Sequence, residues 1–149
     1  MLIKSQSIFI LSGLTFFIVD RILKYLFFNN ILADSFLLTY VSNAGIAFGL
    51  IIPKIFLVLF YIIIFTIIIF LVNWLLQAQQ QKKHLDFFSL WLIILGALSN
   101  IIDRIKFGFV VDYINLHIWP VFNLADTMIV GGVIFILINY LFLEKSKKL

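Results

Sequence analysis

The chain has 149 residues, of which 64% are hydrophobic and only 12% are charged, and its mean hydropathy is +1.17. Soluble domains carry about 25% charged residues, so this composition excludes an ordinary soluble protein and indicates an integral membrane protein of one domain. The absence of cysteine excludes disulfides, cysteine nucleophiles and thiolate metal sites. The net charge of +4 comes from basic residues that lie beside apolar segments. We therefore expect membrane lipid headgroups, and no nucleic acid, as the anionic partner.

The first predicted membrane span covers residues 7–28, which is long enough to cross roughly 30 Å of hydrocarbon. No small-residue cleavage motif follows it, so we interpret it as a retained span and not as a cleaved leader. Asp20 and Lys24 lie four positions apart near its end, in the order that favours an ion pair. The simplest interpretation of this pair is an anchor for the helix end at the membrane interface.

Residues 29–54 form the longest segment that does not span the membrane. Its first half has the aromatic and β-branched content of a strand, and residues 42–45 have the composition of a turn. This pattern predicts a short hairpin at the membrane surface. Glycine at position 45 would permit close approach of the backbone to a ligand, although an ordinary turn is the simpler interpretation.

Three further spans are predicted at residues 55–76, 87–105 and 123–143. A polar connection at residues 77–86 separates the second span from the third, and a strand-like stretch at 110–114 follows the third. The small residues around Gly96 predict close contact between helices. The predicted fold class is therefore an all-α membrane protein with four transmembrane helices and a small β element at the membrane surface.

An even number of spans places both termini on one side of the membrane. Lysine and arginine are nearly balanced between the two sides, so the charge distribution does not determine the orientation. Most acidic residues lie on the side opposite the termini: Asp20, Asp34, Asp103, Asp112 and Asp126. We therefore expect the chemistry of this protein at that one face.

Residues 99–126 form a polar stretch between apolar segments, and ionisable residues in such a position indicate a functional site. Asn100, Asp103 and Arg104 lie at positions i, i+3 and i+4, a spacing that predicts all three side chains on one face at the end of a helix. Serine–histidine–aspartate catalysis is disfavoured because the chain has only two histidines, one of them on the wrong side.

The aspartates leave several hypotheses open. They could bind a divalent cation, conduct ions or protons, or include two carboxylates that share one proton and activate water for amide hydrolysis. In the last case Asn100, Arg104 and Asn123 would serve as orienting donors. The purely structural interpretation pairs Asp103 with Arg104 or Arg21. These residues alone do not choose between Asp103 and Asp112 as a catalytic partner.

Four motifs in sequence resemble those of lipoprotein signal peptidase (signal peptidase II). They are Asp-Arg-Ile-Leu-Lys at 20–24, Asn-Ala-Gly-Ile-Ala-Phe-Gly at 43–49, Ser-Asn-Ile-Ile-Asp-Arg at 99–104 with Val-Asp at 111–112, and Phe-Asn-Leu-Ala-Asp at 122–126. The resemblance covers essentially the whole chain. It implies an aspartic endopeptidase of the bacterial inner membrane that cleaves diacylglyceryl-modified prolipoproteins just before the lipidated cysteine. No cofactor and no metal are implied, and we expect a monomer.

The resemblance also implies roles for individual residues. Asp112 and Asp126 would be the catalytic pair, and the other residues would support it or lie near the substrate: Asp20, Lys24, Asn43, Gly45, Asn100, Asp103, Arg104 and Asn123. Both termini would be cytoplasmic, and the active site and the small sheet would lie at the periplasmic face. Two positions depart from the usual pattern: Ser99 replaces a glycine, and Arg21 replaces a common glutamine. We expect Ser99 to alter helix packing slightly and Arg21 to favour the ionised form of a nearby aspartate.

Overall fold

The computed structural model describes residues 2–45 and 54–146. Its helices are α1 (Leu2–Phe28), α2 (Leu57–Gln80, after a single 3-10 turn at Lys54–Phe56), α3 (His84–Phe107) and α4 (Leu124–Ser146); its strands are β1 (Leu38–Asn43) and β2 (Val110–Ile114). Each helix contains a segment long and apolar enough to cross a membrane. Four such helices and one small sheet confirm the predicted fold class.

Helix α3 lies at the centre of the bundle. Over half of its apolar segment, 56%, is buried within the protein, against 17% or less for the segments of the other three helices. The outer helices therefore keep most of their leucine, isoleucine and phenylalanine side chains exposed, as expected for surfaces that face lipid. The central helix is the one whose polar residues can reach neighbours on several sides.

Helices α3 and α4 approach each other closely at Gly96, as the run of small residues predicted. A Cβ atom added at this position would lie 2.5 Å from the carbonyl oxygen of Ala125, closer than any side chain permits. In a membrane, where helices gain little from the hydrophobic effect, such small residues allow the backbones to pack directly. Gly96 therefore holds the first turn of α4 against the middle of α3.

Helix α3 ends at Phe107 and is followed by Gly108, whose backbone has the left-handed φ of 81°. Its N–H donates to the carbonyl of Arg104 at 3.0 Å, a common arrangement at helix C-termini that glycine adopts without steric cost. The chain then turns back into β2, which brings the strand beside the end of α3.

Strand β1 pairs antiparallel with β2, so that Val41 lies opposite Asp112 and Asn43 opposite Val110. The predicted strand in the first half of 29–54 and the strand-like stretch at 110–114 both exist. The second arm of the predicted hairpin would fall on residues 46–49, outside the described residues. Within the described chain the partner of β1 is the distant β2.

The polar connection predicted at residues 77–86 is wrong in length. Helix α2 continues to Gln80 and α3 begins at His84, so only residues 81–83 join them. Polar residues are compatible with helix ends that project beyond the hydrocarbon, and composition alone did not separate such ends from a loop.

Candidate active site

A cavity of about 460 Å³ lies between α2, α3, α4 and the segment after β2. Its polar end carries five of the predicted site residues: Asn43, Asn100, Arg104, Asp112 and Asp126. The rest of its lining is largely apolar, with Phe60, Ile64, Ile67, Ile68 and Leu71 from α2 on one side. The site therefore combines two carboxylates with a hydrocarbon-like surface.

Asp112 projects from β2 and is almost fully buried. Its Oδ2 accepts a hydrogen bond from Asn43 Nδ2 at 2.8 Å, and its Oδ1 accepts one from Asn123 Nδ2 at 2.6 Å. Asn43 reaches it because the two residues are diagonal neighbours on one face of the β1–β2 pair. Both carboxylate oxygens are thus held by amide groups, and their direction is fixed.

Burial raises the pKa of Asp112 to about 6, with a further upward contribution from the charge of Asp126, while the hydrogen bonds from Asn43 and Asn123 lower it. A carboxyl group with a pKa of about 6 gains and loses its proton near neutral pH. That is the range in which an aspartate can act as an acid or a base in turn.

Asp126 is the third residue of α4 and forms a capping box with Asn123, the residue that precedes the helix. Asn123 Oδ1 accepts from the Asp126 N–H at 2.9 Å, and the Asn123 N–H donates to Asp126 Oδ2 at 3.2 Å. Asn100 Nδ2 donates to the other oxygen, Oδ1, at 2.7 Å. Asp126 is therefore anchored at the end of α4 where the helix dipole favours a negative charge.

Asn123 links the two carboxylates. Its fully buried amide Nδ2 donates to Asp112 Oδ1, while its backbone N–H donates to Asp126 Oδ2. The chain reaches this position because Ile114 and Phe122 exchange backbone hydrogen bonds of 2.7 and 3.1 Å, which close the loop between them. One residue therefore holds both aspartates in a fixed relation.

A second group of charged residues lies behind the cavity, between α1 and α3. Lys24 is 1% exposed, and its Nζ lies 2.9 Å from Asp103 Oδ2, 3.3 Å from Asp20 Oδ2 and 2.7 Å from Asn100 Oδ1. Arg21 Nη1 lies 2.5 Å from Asp103 Oδ1. The interfacial anchor proposed for Asp20 and Lys24 is therefore wrong, because both side chains are buried inside the protein and contact residues of α3.

Asp103 and Asp112 occupy different environments. Asp103 does not line the cavity but contacts two cations, and it accepts the Val111 N–H at 3.3 Å. The structural pairing considered for Asp103 is thus present, with Arg21. Arg104 instead turns into the cavity, and its Nη2 donates to the carbonyl of Gly45 at 3.1 Å.

The two positions that depart from the usual motifs contact each other. Arg21 Nη1 donates to the Ser99 carbonyl at 3.1 Å and to its Oγ at 3.3 Å, and Ser99 Oγ donates to Asp20 Oδ2 at 2.5 Å. Ser99 does more than alter packing, since it connects α3 to the Asp20 carboxylate. In the part of the chain that the structure describes, every buried side-chain nitrogen or oxygen has a hydrogen-bond partner.

Sequence reasoning missed Tyr113, which does not line the cavity but contacts the buried residues behind it. Its buried hydroxyl donates to Asp20 Oδ1 at 2.9 Å and accepts the Leu124 N–H at 3.1 Å. A tyrosine in an apolar strand gives no signal of these partners, because one lies in α1 and the other at the start of α4.

The raised pKa of Asp112 predicts a pH-dependent difference in stability. The folded protein binds this proton more tightly than the unfolded chain, whose aspartate has the ordinary pKa of 3.8. The stabilising contribution is therefore complete below about pH 4 and is lost as the pH rises through about 6. Asp112→Asn cannot titrate, so we expect the melting temperature of the wild type, relative to this variant in the same detergent, to fall between pH 4 and pH 7. A constant difference across this range would contradict the prediction.

Comparison with known proteins places these features in a family. The family described as Signal peptidase (SPase) II matches residues 13–142. The lipoprotein signal peptidase of Moorella thermoacetica is 40% identical over 134 residues, covering 85% of this chain and 87% of its own. The lipoprotein signal peptidase of Halothermothrix orenii is 42% identical over 116 residues, covering 78% of this chain and 77% of its own.

The fold is also that of a solved protein. A bacterial membrane enzyme determined by the in meso method at 1.9 Å resolution is 31% identical, with a TM-score of 0.75 over 91% of this chain and 93% of its own. A second bacterial membrane enzyme structure, at 2.3 Å, gives 31% identity and a TM-score of 0.76. The chain therefore belongs to the signal peptidase II family, the lipoprotein signal peptidases, and is a multi-pass membrane peptidase.

Proposed function

We propose that the protein is an aspartic endopeptidase that removes the signal peptide from diacylglyceryl-modified prolipoproteins, cutting N-terminal to the lipidated cysteine. The observation that carries this proposal is that Asp112 and Asp126 line the same cavity and are joined through Asn123. Two carboxylates close together in a partly dehydrated site cannot both be ionised easily, so they share one proton.

The shared proton gives the two aspartates complementary tasks. The ionised carboxylate takes a proton from a water molecule, whose oxygen attacks the scissile carbonyl carbon, while the protonated carboxyl donates to the carbonyl oxygen. The tetrahedral intermediate collapses when the amide nitrogen receives a proton, which breaks the C–N bond and releases a carboxylic acid and an amine. Asn43, Asn100 and Asn123 keep the carboxylates in place throughout, and Arg104 supplies a further donor in the cavity.

The apolar part of the cavity suits the lipid of this substrate. Side chains of α2 provide the surface on which acyl chains would lie, while the scissile amide reaches the polar end. Such a substrate has to be met at the membrane surface, because its peptide is polar and its acyl chains remain in hydrocarbon. A cleft between membrane helices offers both environments.

The arrangement in the cell belongs to the same proposal. We place the protein in the bacterial inner membrane as a single domain and a monomer, with spans near residues 7–28, 55–76, 87–105 and 123–143. Both termini would be cytoplasmic, and the cavity, with the β1–β2 sheet, would open at the periplasmic face. Membrane lipid and the prolipoprotein are its partners, and nucleic acid is not.

Purified protein and a matched pair of substrates test the proposal. We expect cleavage of a diacylglyceryl-modified prolipoprotein in detergent or lipid and no cleavage of the same prolipoprotein without its lipid. Equal cleavage of both forms would contradict the role of the apolar surface. If neither form is cut, peptidase activity on this substrate class is contradicted, and ion flux through liposomes would then test the conduction hypothesis.

Activity is expected to be unchanged in EDTA, because the proposed chemistry uses carboxylates alone. Among the described residues no three histidine, cysteine, aspartate or glutamate side chains come together as metal ligands, and the pair Asp112 and Asp126 is held by amide donors. The rate of cleavage with and without a chelator checks this. Loss of activity on chelation that a divalent cation restores would favour the metal hypothesis instead.

A further inference from the structure

Tyr113 lies next to Asp112 on β2, but its side chain points to the opposite side of the strand, away from the cavity. The ring is 1% exposed and stacks on Phe27 of α1, with ring centroids 5.4 Å apart. Burial, and then the neighbouring carboxylate of Asp20, raise the pKa of Tyr113. The hydroxyl therefore keeps its proton and donates a hydrogen bond to Asp20.

The hydroxyl also reaches the beginning of α4. It accepts the Leu124 N–H at 3.1 Å, while Asp20 Oδ1 accepts the Ala125 N–H at 3.1 Å. These are the first two residues of the helix, whose N–H groups have no partner within it. Tyr113 and Asp20 thus satisfy two consecutive N–H groups immediately before Asp126.

This geometry connects the two elements that carry the aspartates. Asp112 belongs to β2, and Asp126 belongs to the first turn of α4. The Tyr113 side chain joins the strand directly to that turn, on the side opposite Asn123. With both links in place the strand and the helix can neither slide nor separate without breaking buried hydrogen bonds.

We propose that Tyr113 is a positioning residue for proteolysis: its hydroxyl fixes the start of α4 against β2 and so sets the placement of Asp126 relative to Asp112. This inference rests on the proposed function of the two aspartates. It assigns to Tyr113 no contact with the substrate. Its contribution appears in the chemical step, since the sharing of one proton depends on how the two carboxylates face each other.

Tyr113→Phe removes only the hydroxyl and keeps the ring that stacks on Phe27. We expect kcat on the lipidated prolipoprotein to fall about tenfold, the effect of one lost buried hydrogen bond expressed in the chemical step, with KM within about twofold of wild type. The pH profile of kcat should shift as well, because the two carboxylates no longer share their proton in the same geometry. Tyr25→Phe, at an exposed position of α1, is the matched control and should behave as wild type.

The outcomes separate this inference from the proposed function. An inactive wild-type protein would overturn the proposed function itself. If the wild type is active and Tyr113→Phe has a lower melting temperature but an unchanged kcat and pH profile, the residue is merely structural and the inference is overturned. A rise in KM with unchanged kcat would overturn it too, since that change indicates substrate binding. A fall in kcat with a shifted pH profile supports it.

Discussion

Asp112→Asn and Asp126→Asn are each expected to lower the rate of prolipoprotein cleavage by at least about a thousandfold, because each would remove one of the two groups that we propose to move protons. Asparagine has nearly the same shape, so the bundle should remain folded. At position 112 it retains an oxygen that can accept one of the two amide hydrogen bonds now made by Asn43 and Asn123. The measurement is the cleavage rate of the lipidated substrate at equal concentrations of folded protein.

The matched control for these variants is Asp34→Asn. Asp34 is an exposed residue outside the cavity that accepts hydrogen bonds from Thr39 Oγ1 and the Tyr40 N–H, each at 3.0 Å. We expect its variant to retain full activity. A folded Asp112→Asn or Asp126→Asn protein with activity within tenfold of wild type would remove that aspartate from the catalytic pair.

The helices were predictable because the signal for a membrane span is long and redundant. About 20 predominantly apolar residues in succession are needed to cross the hydrocarbon, so a single polar residue within such a run does not change the prediction of a span. The contact between Asp20 and Lys24 was predictable for a similar reason, since spacing along one helix determines it. Its burial was not predictable, because that depends on which helix packs against this face.

The choice between Asp103 and Asp112 shows where such reasoning stops. Spacing predicted one shared face for Asn100, Asp103 and Arg104 at the end of α3, and for Asp103 this is wrong, because neighbouring residues of a helix point about 100° apart. In the structure Asp103 faces the cations of α1, whereas Arg104 faces the cavity. Only the arrangement of the surrounding helices separates these directions, and one sequence without that arrangement leaves both aspartates as candidates.

Long-range pairing was the other feature that local signals did not reveal. The turn composition after β1 suggested a partner a few residues away and gave no sign of the distant β2, which pairs with β1 and brings Asn43 beside Asp112. The hydroxyl of Tyr113 poses the same problem, because its partners come from α1 and α4. Residues of the site that act through such contacts are the ones that sequence reasoning found last or missed.

The buried cation Lys24 leads to the second large expected effect. Its Nζ contacts Asp103, Asp20 and Asn100, and it holds the Asn100 amide with the oxygen toward itself, so that the NH₂ group points at Asp126 Oδ1. Lys24→Met keeps the length of the side chain and removes the charge. Asp103 would retain Arg21, so we expect destabilisation of about 3 kcal/mol, the lower end of the cost of breaking a buried ion pair.

Activity should fall further than stability alone explains. Without Lys24, Asn123 Nδ2 at 3.2 Å is the only remaining side-chain donor to Asn100 Oδ1 among the residues that the structure describes. The Asn100 amide can then rotate its NH₂ group away from Asp126. A displacement of about 1 Å at a reacting group costs about a hundredfold in rate, and we expect a loss of that order in kcat per folded molecule. Lys83→Met, at an exposed position at the opposite end of α3, is the control.

Thermal unfolding and cleavage of the lipidated prolipoprotein, measured on the same detergent preparations, separate the two contributions of Lys24. If the Lys24→Met protein unfolds at a lower temperature but cleaves at the wild-type rate while folded, the lysine only stabilises the bundle and Asn100 needs no orientation. If both properties match those of Lys83→Met, the buried ion pairs contribute neither stability nor geometry. The expected result, a loss of both with the larger effect on rate, would mean that a charge buried behind the cavity is retained because it sets the direction of a single amide group.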